Sequence, residues 1–372
     1  MLNPFLKVEW LKEGRNVRLP MIIIFYNAIL AFITILFMFF NAESLQEGYS
    51  YNTSSYLYQF LIISTFQIGM IFVLMPFSVW GFYATDREKH MLEEFAMIPG
   101  SSKQFVIARV SVIIAIYMML FVSSLPIISL SCIYSGLPWR KILRLGIMML
   151  ICTFWSASIS VFSFSYCKKG IWAFAQNTAI EAMFVLGTVL ATEIIRSFSI
   201  SVTGAESLAP IAINLCMLFS LLNPLAAYMG YYGNITGDSG LMNLYCGRIG
   251  IDSSTQTFSF LFYKAASIVC ILMGIAIIAL AVWQMEKQAK DQLKSKYASK
   301  LIAEKEKLEL SDKAYKEKYD EYAQSYGYEN GDAFIEANGE DGEEKLKESI
   351  LLDTAMTWVA DHAKFVEAET EK

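Results

Sequence analysis

Histidine is almost missing from this chain: His90 and His362 are the two imidazoles in 372 residues. HExxH, GxSxG and GxxxxGK[ST] are absent, so the usual zinc-protease, serine-hydrolase and nucleotide-binding arrangements have no residues to build them. The acidic pair Glu93-Glu94 has no histidine in an apolar run to complete a metal site. No catalytic residue, metal or cofactor is therefore expected in the chain. The six cysteines, Cys132, Cys152, Cys167, Cys216, Cys246 and Cys270, show no metal or redox spacing and read as small apolar residues. A Cys132–Cys246 disulfide on the outer side is geometrically conceivable but not expected, because no framework pattern supports it. A cleavable signal peptide is not expected, since the first 18 residues are too charged for an apolar leader core.

Charge is also missing, from long stretches rather than from the whole. Hydrophobic residues make up 55% and the mean hydropathy is +0.42, above the roughly 45–50% of soluble domains. Six runs reach the ~20 residues that cross a ~30 Å hydrocarbon layer as a helix: 19–41, 57–83, 104–134, 142–166, 171–197 and 258–284. Backbone groups in lipid must bond internally, so helices are expected and open strands excluded. Pro126 is expected to kink or end the third. With the N-terminus cytosolic, the inner segments hold 15 Lys or Arg and the outer ones four, Arg140, Lys141, Arg144 and Arg248. This bias predicts both termini inside, with the 140–144 cluster against the rule. Pro4 opens an interfacial helix whose Phe5, Leu6 and Trp10 are expected to face lipid.

The run Leu208–Tyr232 is apolar but interrupted by Pro210 and Asn223-Pro224. As a seventh span it would push the Lys-rich 285–305 segment outside, so it is expected to be re-entrant or broken on the outer face. The Asn234-Ile235-Thr236 sequon reads as chance. Residues 286–372 carry 14 Lys against 22 Asp or Glu. One long charged helix is expected over 286–325 and a turn-rich break over Gly327–Gly342. Leu346, Ile350, Leu351, Ala355, Trp358 and Val359 then form an amphipathic stripe. Two readings of the tail stand open, a small helical domain and a solvated charged segment. The fold class is all-α: a polytopic membrane protein of six spans with a re-entrant outer segment and a C-terminal cytosolic helical domain.

Ionisable residues in or near spans are costly, about 2.5–3.5 kcal/mol each at a helix centre, and so are functional candidates. Glu193 and Arg196 have the spacing to pair, and Lys264 is expected to reach outward. Glu181 is the deepest. It either lines a substrate path or subunit interface, or is protonated or bonded to a serine or backbone of a neighbouring helix.

Between the second and third runs lies TDREKHMLEEFAMIPGSSKQ, Thr85 to Gln104. Thr85 and Glu88 have capping-box spacing, Met91, Leu92, Phe95, Ala96 and Ile98 recur at helical intervals, and Pro99-Gly100 stops the pattern. Ser101 with Gln104 caps the next helix. Asp86-Arg87-Glu88, Leu92-Glu93, Pro99, Gly100-Ser101-Ser102 and Arg109 resemble the loop motif of ABC-2 type ABC transporter permeases. Asn3-Pro4 and Asn223-Pro224 fit as well, so the resemblance covers residues 1–285. Asp86, His90-Met91 and Arg109 depart from its usual residues.

The resemblance implies that 86–103 is a coupling helix docking on a separate ATP-binding cassette ATPase subunit, which holds the ATP and Mg. Asp86, Arg87, Glu88, Met91, Leu92, Glu93, Glu94, Phe95 and Pro99 would make the contact, with Met91 and Phe95 as anchors. It further implies an exporter working by alternating access, paired with a second permease copy or paralogue in the bacterial plasma membrane. Lipid is an expected partner and nucleic acid is not. Residues 314–366, with Tyr326-Gly327-Tyr328, Phe334, Gly339-Glu340-Asp341 and the Leu352–Val359 stripe, resemble the C-terminal part of the trigger factor chaperone family. That leaves a membrane scaffold presenting a helical chaperone-like domain as the alternative to transport. A secondary transporter is disfavoured, because no internal repeat or paired acidic relay is visible.

Overall fold

The computed structural model describes residues 4–14, 18–46, 53–86, 101–167, 169–203, 210–236, 256–306, 318–320 and 330–338, with seven further positions between 347 and 358. The chain divides into two compact units, Met1–Trp80 with Lys103–Val282, and Gly81–Ser102 with Trp283–Lys372. Every regular element among the described residues is helical.

In the first unit, α1 (Pro4–Gly14) is followed by the long helices α2 (Arg18–Gln46), α3 (Thr53–Asp86), α4 (Ser101–Ser135) and α5 (Arg140–Tyr166). Next come α6 (Gly170–Ala182), a π-turn (Met183–Gly187) and α7 (Thr188–Thr203), which together make one run of helix. Two short helices, α8 (Pro210–Leu221) and α9 (Pro224–Thr236), precede α10 (Gln256–Lys305). Among the described residues six helices are long and apolar enough to cross a membrane: Leu19–Phe40, Tyr56–Ser78, Ser102–Ser135, Arg140–Tyr166, Gly170–Val202 and Leu261–Asp291. They coincide with the six apolar runs read from the sequence.

α5 is the most enclosed of them, with 78% of its span window buried against 17% for the first and fifth spans. Its hydrophobic side carries Trp155, Ile151 and Ile159, packed with Cys270 of α10 and the half-buried Phe72 and Phe184. Small residues let its neighbours come close. A Cβ on Gly274 would stand 2.5 Å from the Phe154 ring and 3.2 Å from Ser158 Oγ, so α10 touches α5 almost backbone to side chain at that level. The α4–α5 connection ends in a Schellman motif. Gly136, at φ +70°, donates to the Ile133 carbonyl and Leu137 donates to that of Cys132, which leaves no room for a longer loop.

Elsewhere the long helices are joined by side-chain hydrogen bonds. Asn27 of α2 donates to Ser123 at 2.8 Å, and Gln67 of α3 donates to Ser124 at 2.7 Å. Such bonds tie neighbouring long helices to one another side chain to side chain.

Several sequence expectations change here. Pro126 does not end the third span: α4 runs through it to Ser135, as α3 runs through Pro76. A proline is tolerated inside a helix that is enclosed by neighbouring helices. Thr85 does not start a helix, because it lies inside the last turn of α3, whose ladder continues to Asp86. Phe5 and Leu6 turn inward and are half-buried, while Val8, Trp10 and Leu11 are the exposed apolar residues of α1. Cys132, for which no disulfide was expected, is a buried free thiol donating to the Leu137 carbonyl. Its suggested partner Cys246 lies outside the described residues.

In the second unit the charged segment is not a helix of its own. It continues α10 without a break from the last span to Lys305, and residues 307–317 lie outside the described ones. The expected break at 327–342 contains a helix, α11 (Gly331–Asn338). Tyr319 donates to Asp332 at 2.8 Å, and the Gly331 amide donates to Asp320 at 3.0 Å. A Cβ on Gly331 would run into the Tyr319 ring, so glycine is required by packing. Ile350 and Ala355 of the amphipathic stripe are fully buried and Leu351 and Trp358 half-buried, while Leu346 and Val359 lie outside the described residues.

Candidate functional site

The loop between α3 and α4 lies almost entirely outside the described residues. Arg87, Glu88, Met91, Leu92, Glu93, Glu94, Phe95 and Pro99 belong to it, Asp86 is the last residue of α3, and Ser101 is the first of α4. What is described is the anchorage just beyond it. Arg109, two turns into α4, is 1% exposed and pairs with Glu9 of α1 at 2.6 Å. Its guanidinium lies 5.3 Å from the ring centroids of both Phe105 and Phe164. Phe5 packs edge-on against Phe105 at 6.3 Å, closing the apolar side of the cluster. A buried charge stays charged only if paired and bonded, and this arginine has a carboxylate and two aromatic faces. The helix that leaves the loop is thus clamped to the N-terminal helix.

A second cluster surrounds Glu181. Thr153, Ser156, Ser160 and Ser163 recur at three- and four-residue spacing and form one buried polar stripe along α5. Asn177 and Glu181, four apart on α6, face it, at 0% and 4% exposure. Ser156 Oγ donates to Glu181 Oε1, and Ser160 Oγ donates to Asn177 Oδ1 at 3.4 Å. The Asn177 side chain also bonds Glu181, while Thr153 Oγ1 and Ser163 Oγ have no hydrogen-bond partner among the described residues. Tyr117 of α4 bonds Ser78 of α3 at 3.4 Å and lies within electrostatic reach of Glu181. Of the two readings open for Glu181, the serine of a neighbouring helix is its observed partner.

The π-turn begins two residues later. π-turns leave a carbonyl without its usual i+4 partner, and they recur at functional positions. Here Asn223, at the break between α8 and α9, supplies the missing donor. Its Nδ2 bonds the Val185 carbonyl at 2.9 Å and Thr188 Oγ1 at 2.8 Å, while its Oδ1 accepts from the Leu225 amide at 2.8 Å and so caps α9. Two irregular stretches of backbone are satisfied by one side chain. α8 and α9 are bent by 98° at this point.

α9 is fastened on three other sides. Tyr228 bonds Ser64 and Thr65 of α3 at 2.7 and 2.9 Å, Tyr231 donates to the Lys141 carbonyl of α5 at 2.8 Å, and Tyr231 packs on Tyr263 of α10. Lys141 Nζ donates to Asn234 Oδ1 at 2.9 Å and Arg144 to the same oxygen at 3.3 Å. Two cations of the cluster that breaks the charge rule therefore hold the end of α9, and the sequon asparagine is engaged as their acceptor. Glu193 and Arg196 pair at 3.3 Å and are about a third exposed, as their spacing predicts, and Lys264 is exposed.

The sequence reading passed over Glu9, Asn177 and the α5 serines. The serine spacing was the available signal. Glu9 offered none, since its partner is a hundred residues away. No group of three or more potential metal ligands occurs among the described residues.

No curated protein and no solved structure matches the chain. The ABC-2 resemblance receives no family match. Residues 280–361, less than a quarter of the chain, match the family described as bacterial trigger factor protein C-terminus, so the similarity begins inside α10 and takes in α11 and the buried Ile350 and Ala355.

Proposed function

We propose that the chain is the membrane-spanning permease subunit of an ABC exporter. Its six long apolar helices cross the bacterial plasma membrane with both termini cytosolic, and α8–α9 form a re-entrant element on the outer face. The observation that carries the reading is the bent α8–α9 pair, fastened to α3, α5, α10 and the π-turn directly before the last span. A non-transporting anchor has no need for a broken pair tied to four elements, whereas a permease needs irregular backbone lining a path, buried in protein. The clamp between Arg109 and Glu9 supports the same reading, because it fixes the N-terminal part of α4 to α1.

In this reading ATP and Mg bind a separate cassette ATPase, the loop docks on it through Met91 and Phe95, and two permease chains rock between inward- and outward-facing states. The Glu181 and Glu193–Arg196 groups are candidates for the path. Affinity purification from the native membrane should bring down a P-loop ATPase, and Phe95→Asp should abolish that capture while the chain still inserts. Capture of the ATPase by Phe95→Asp at wild-type level would sink the assignment.

The match over 280–361 favours a second reading, a membrane anchor presenting a trigger-factor-like helical segment to cytosolic proteins. Deleting 286–372 separates the two: a permease keeps its ATPase partner, and an anchor loses every partner.

A further inference from the structure

The cation cluster at the start of α5 is only partly used by the contacts with α9. Lys141 and Arg144 donate to Asn234, whose amide oxygen accepts hydrogen bonds without cancelling a charge. Arg140 is exposed and takes no part in that contact. Both arginines act electrostatically on Lys141, so three like charges crowd the first five residues of the helix. Cations in the first turn add to the positive end of a helix dipole rather than offset it. The surrounding helices supply no carboxylate: residues 53–85, 101–166, 224–236 and 256–285 of α3, α4, α5, α9 and α10 contain no Asp or Glu.

The surface beside Arg140 is apolar and open. Trp139, Leu143, Ile147 and Leu150 recur at three- and four-residue spacing on one exposed face of α5, and Ile133 and Tyr134 at the end of α4 are exposed as well. Trp and Tyr collect at headgroup depth, with acyl chains below them. We infer that the α4–α5 corner binds an anionic phospholipid, its phosphate against Arg140 and Lys141 and one acyl chain along Leu143 and Ile147. A guanidinium meets two phosphate oxygens in a planar fork, which suits Arg140 to the contact. A zwitterionic headgroup brings its own cation to the same phosphate, so the cluster selects for net negative charge. The inference goes beyond the transport reading and rests only on the long apolar helices being membrane spans. It also gives the lipid a hold on α9, because Lys141 touches Asn234 from the same side chain.

Photo-cross-linking in nanodiscs tests this on the full chain. The discs are phosphatidylcholine with a small share of probe lipid, which carries a diazirine in its acyl chain and either a phosphatidylglycerol or a phosphatidylcholine headgroup. Both leaflets contain probe, so the result does not depend on which side of the membrane the corner faces. Mass spectrometry of the digested chain maps the labelled residues. The phosphatidylglycerol probe is expected to label residues 133–150 in preference, and excess unlabelled phosphatidylglycerol to suppress that labelling. A cation near a membrane surface is worth about fivefold in occupancy, so Arg140→Gln should lower the labelling by that factor. Arg140→Lys should keep most of it. Lys287→Gln, which removes a cation beside the exposed Trp283 of α10, should leave it unchanged.

Equal labelling of 133–150 by the two probes, or undiminished labelling of Arg140→Gln, overturns the proposal. Suppression by millimolar inorganic phosphate does so too, since the site would then take a free anion rather than a lipid. Absence of labelling on this face by either probe means that protein covers it, and overturns the proposal as well. Should Arg140→Gln fail to fold, the comparison of the two probes on the wild-type chain decides alone. A chain that elutes apart from the discs refutes the membrane reading itself, a result distinct from an inserted chain that shows no headgroup preference.

Discussion

Replacing Glu9 with Leu strips a buried guanidinium of the carboxylate that pairs with it at 2.6 Å and leaves the cation beside two phenylalanine rings. Removing one partner of a buried pair costs about 3–5 kcal/mol, since the charge left behind has no water to return to. The two ring faces recover part of this, about 0.5–2 kcal/mol in total by the usual worth of a cation over an aromatic. Glu9→Leu should therefore destabilise the first unit by about 2–4 kcal/mol. Arg109→Met should cost a similar amount, by stranding Glu9. The double variant, Glu9→Leu with Arg109→Met, fills the same volume with apolar atoms and should lie within about 1–2 kcal/mol of wild type, because replacing a whole buried pair is often neutral. The expected coupling is thus at least about 2 kcal/mol, well above the ~0.5 kcal/mol within which independent sites add. Equilibrium unfolding in mixed micelles, followed by circular dichroism for the four proteins, measures it. Additive single variants would refute the clamp and return α1 to being a loosely held surface helix.

Further expectations concern other contacts. Asn223→Ala frees the Val185 carbonyl and uncaps α9, at about 1–3 kcal/mol per buried group left unmet, and Asn223→Asp should be worse because a carboxylate cannot donate to that carbonyl. The same unfolding assay orders the two. Gly274→Ala should cost about 1–3 kcal/mol by overpacking against Phe154, while Gly69→Ala, with nothing within 4 Å of its Cβ, should gain about 0.4–1 kcal/mol. Equal effects at the two glycines would contradict the close α5–α10 approach. Glu193→Gln should change stability by no more than about 0.5–1 kcal/mol, since its pair with Arg196 is a third exposed.

The six long apolar helices were legible because length and apolarity are local properties of the sequence. The Glu193–Arg196 pair was legible for the same reason, being a matter of helical spacing. Where reading failed, a local signal was overridden by its surroundings. Thr85 and Glu88 have the spacing of a helix start, yet the ladder from Thr53 does not stop for a threonine. Pro126 can end a helix or only kink it, and here the helix continues through it to Ser135. The composition change at 286 falls close to the division between the two units at Trp283, yet α10 runs through it, because a change from apolar to charged side chains leaves backbone hydrogen bonding untouched. Nothing in MFVLG announces a π-turn. Asn223 announces only a proline-linked cap, and its second duty to Val185 depends on a helix folded some forty residues earlier.

The pairing of α5 with α6 bears on how the chain is made. Between Tyr166 and Gly170 there are only three residues, so these helices leave the ribosome as a tight antiparallel couple. Taken singly, each is a poor passenger for the insertion channel: one carries a ladder of hydroxyls, the other a carboxylate. Handed over together, each hides what the other cannot. The Ser156–Glu181 bond gives the nascent hairpin a reason to close before either helix meets lipid, and a pause at the ribosome after α6 would favour integration more than one placed after α5.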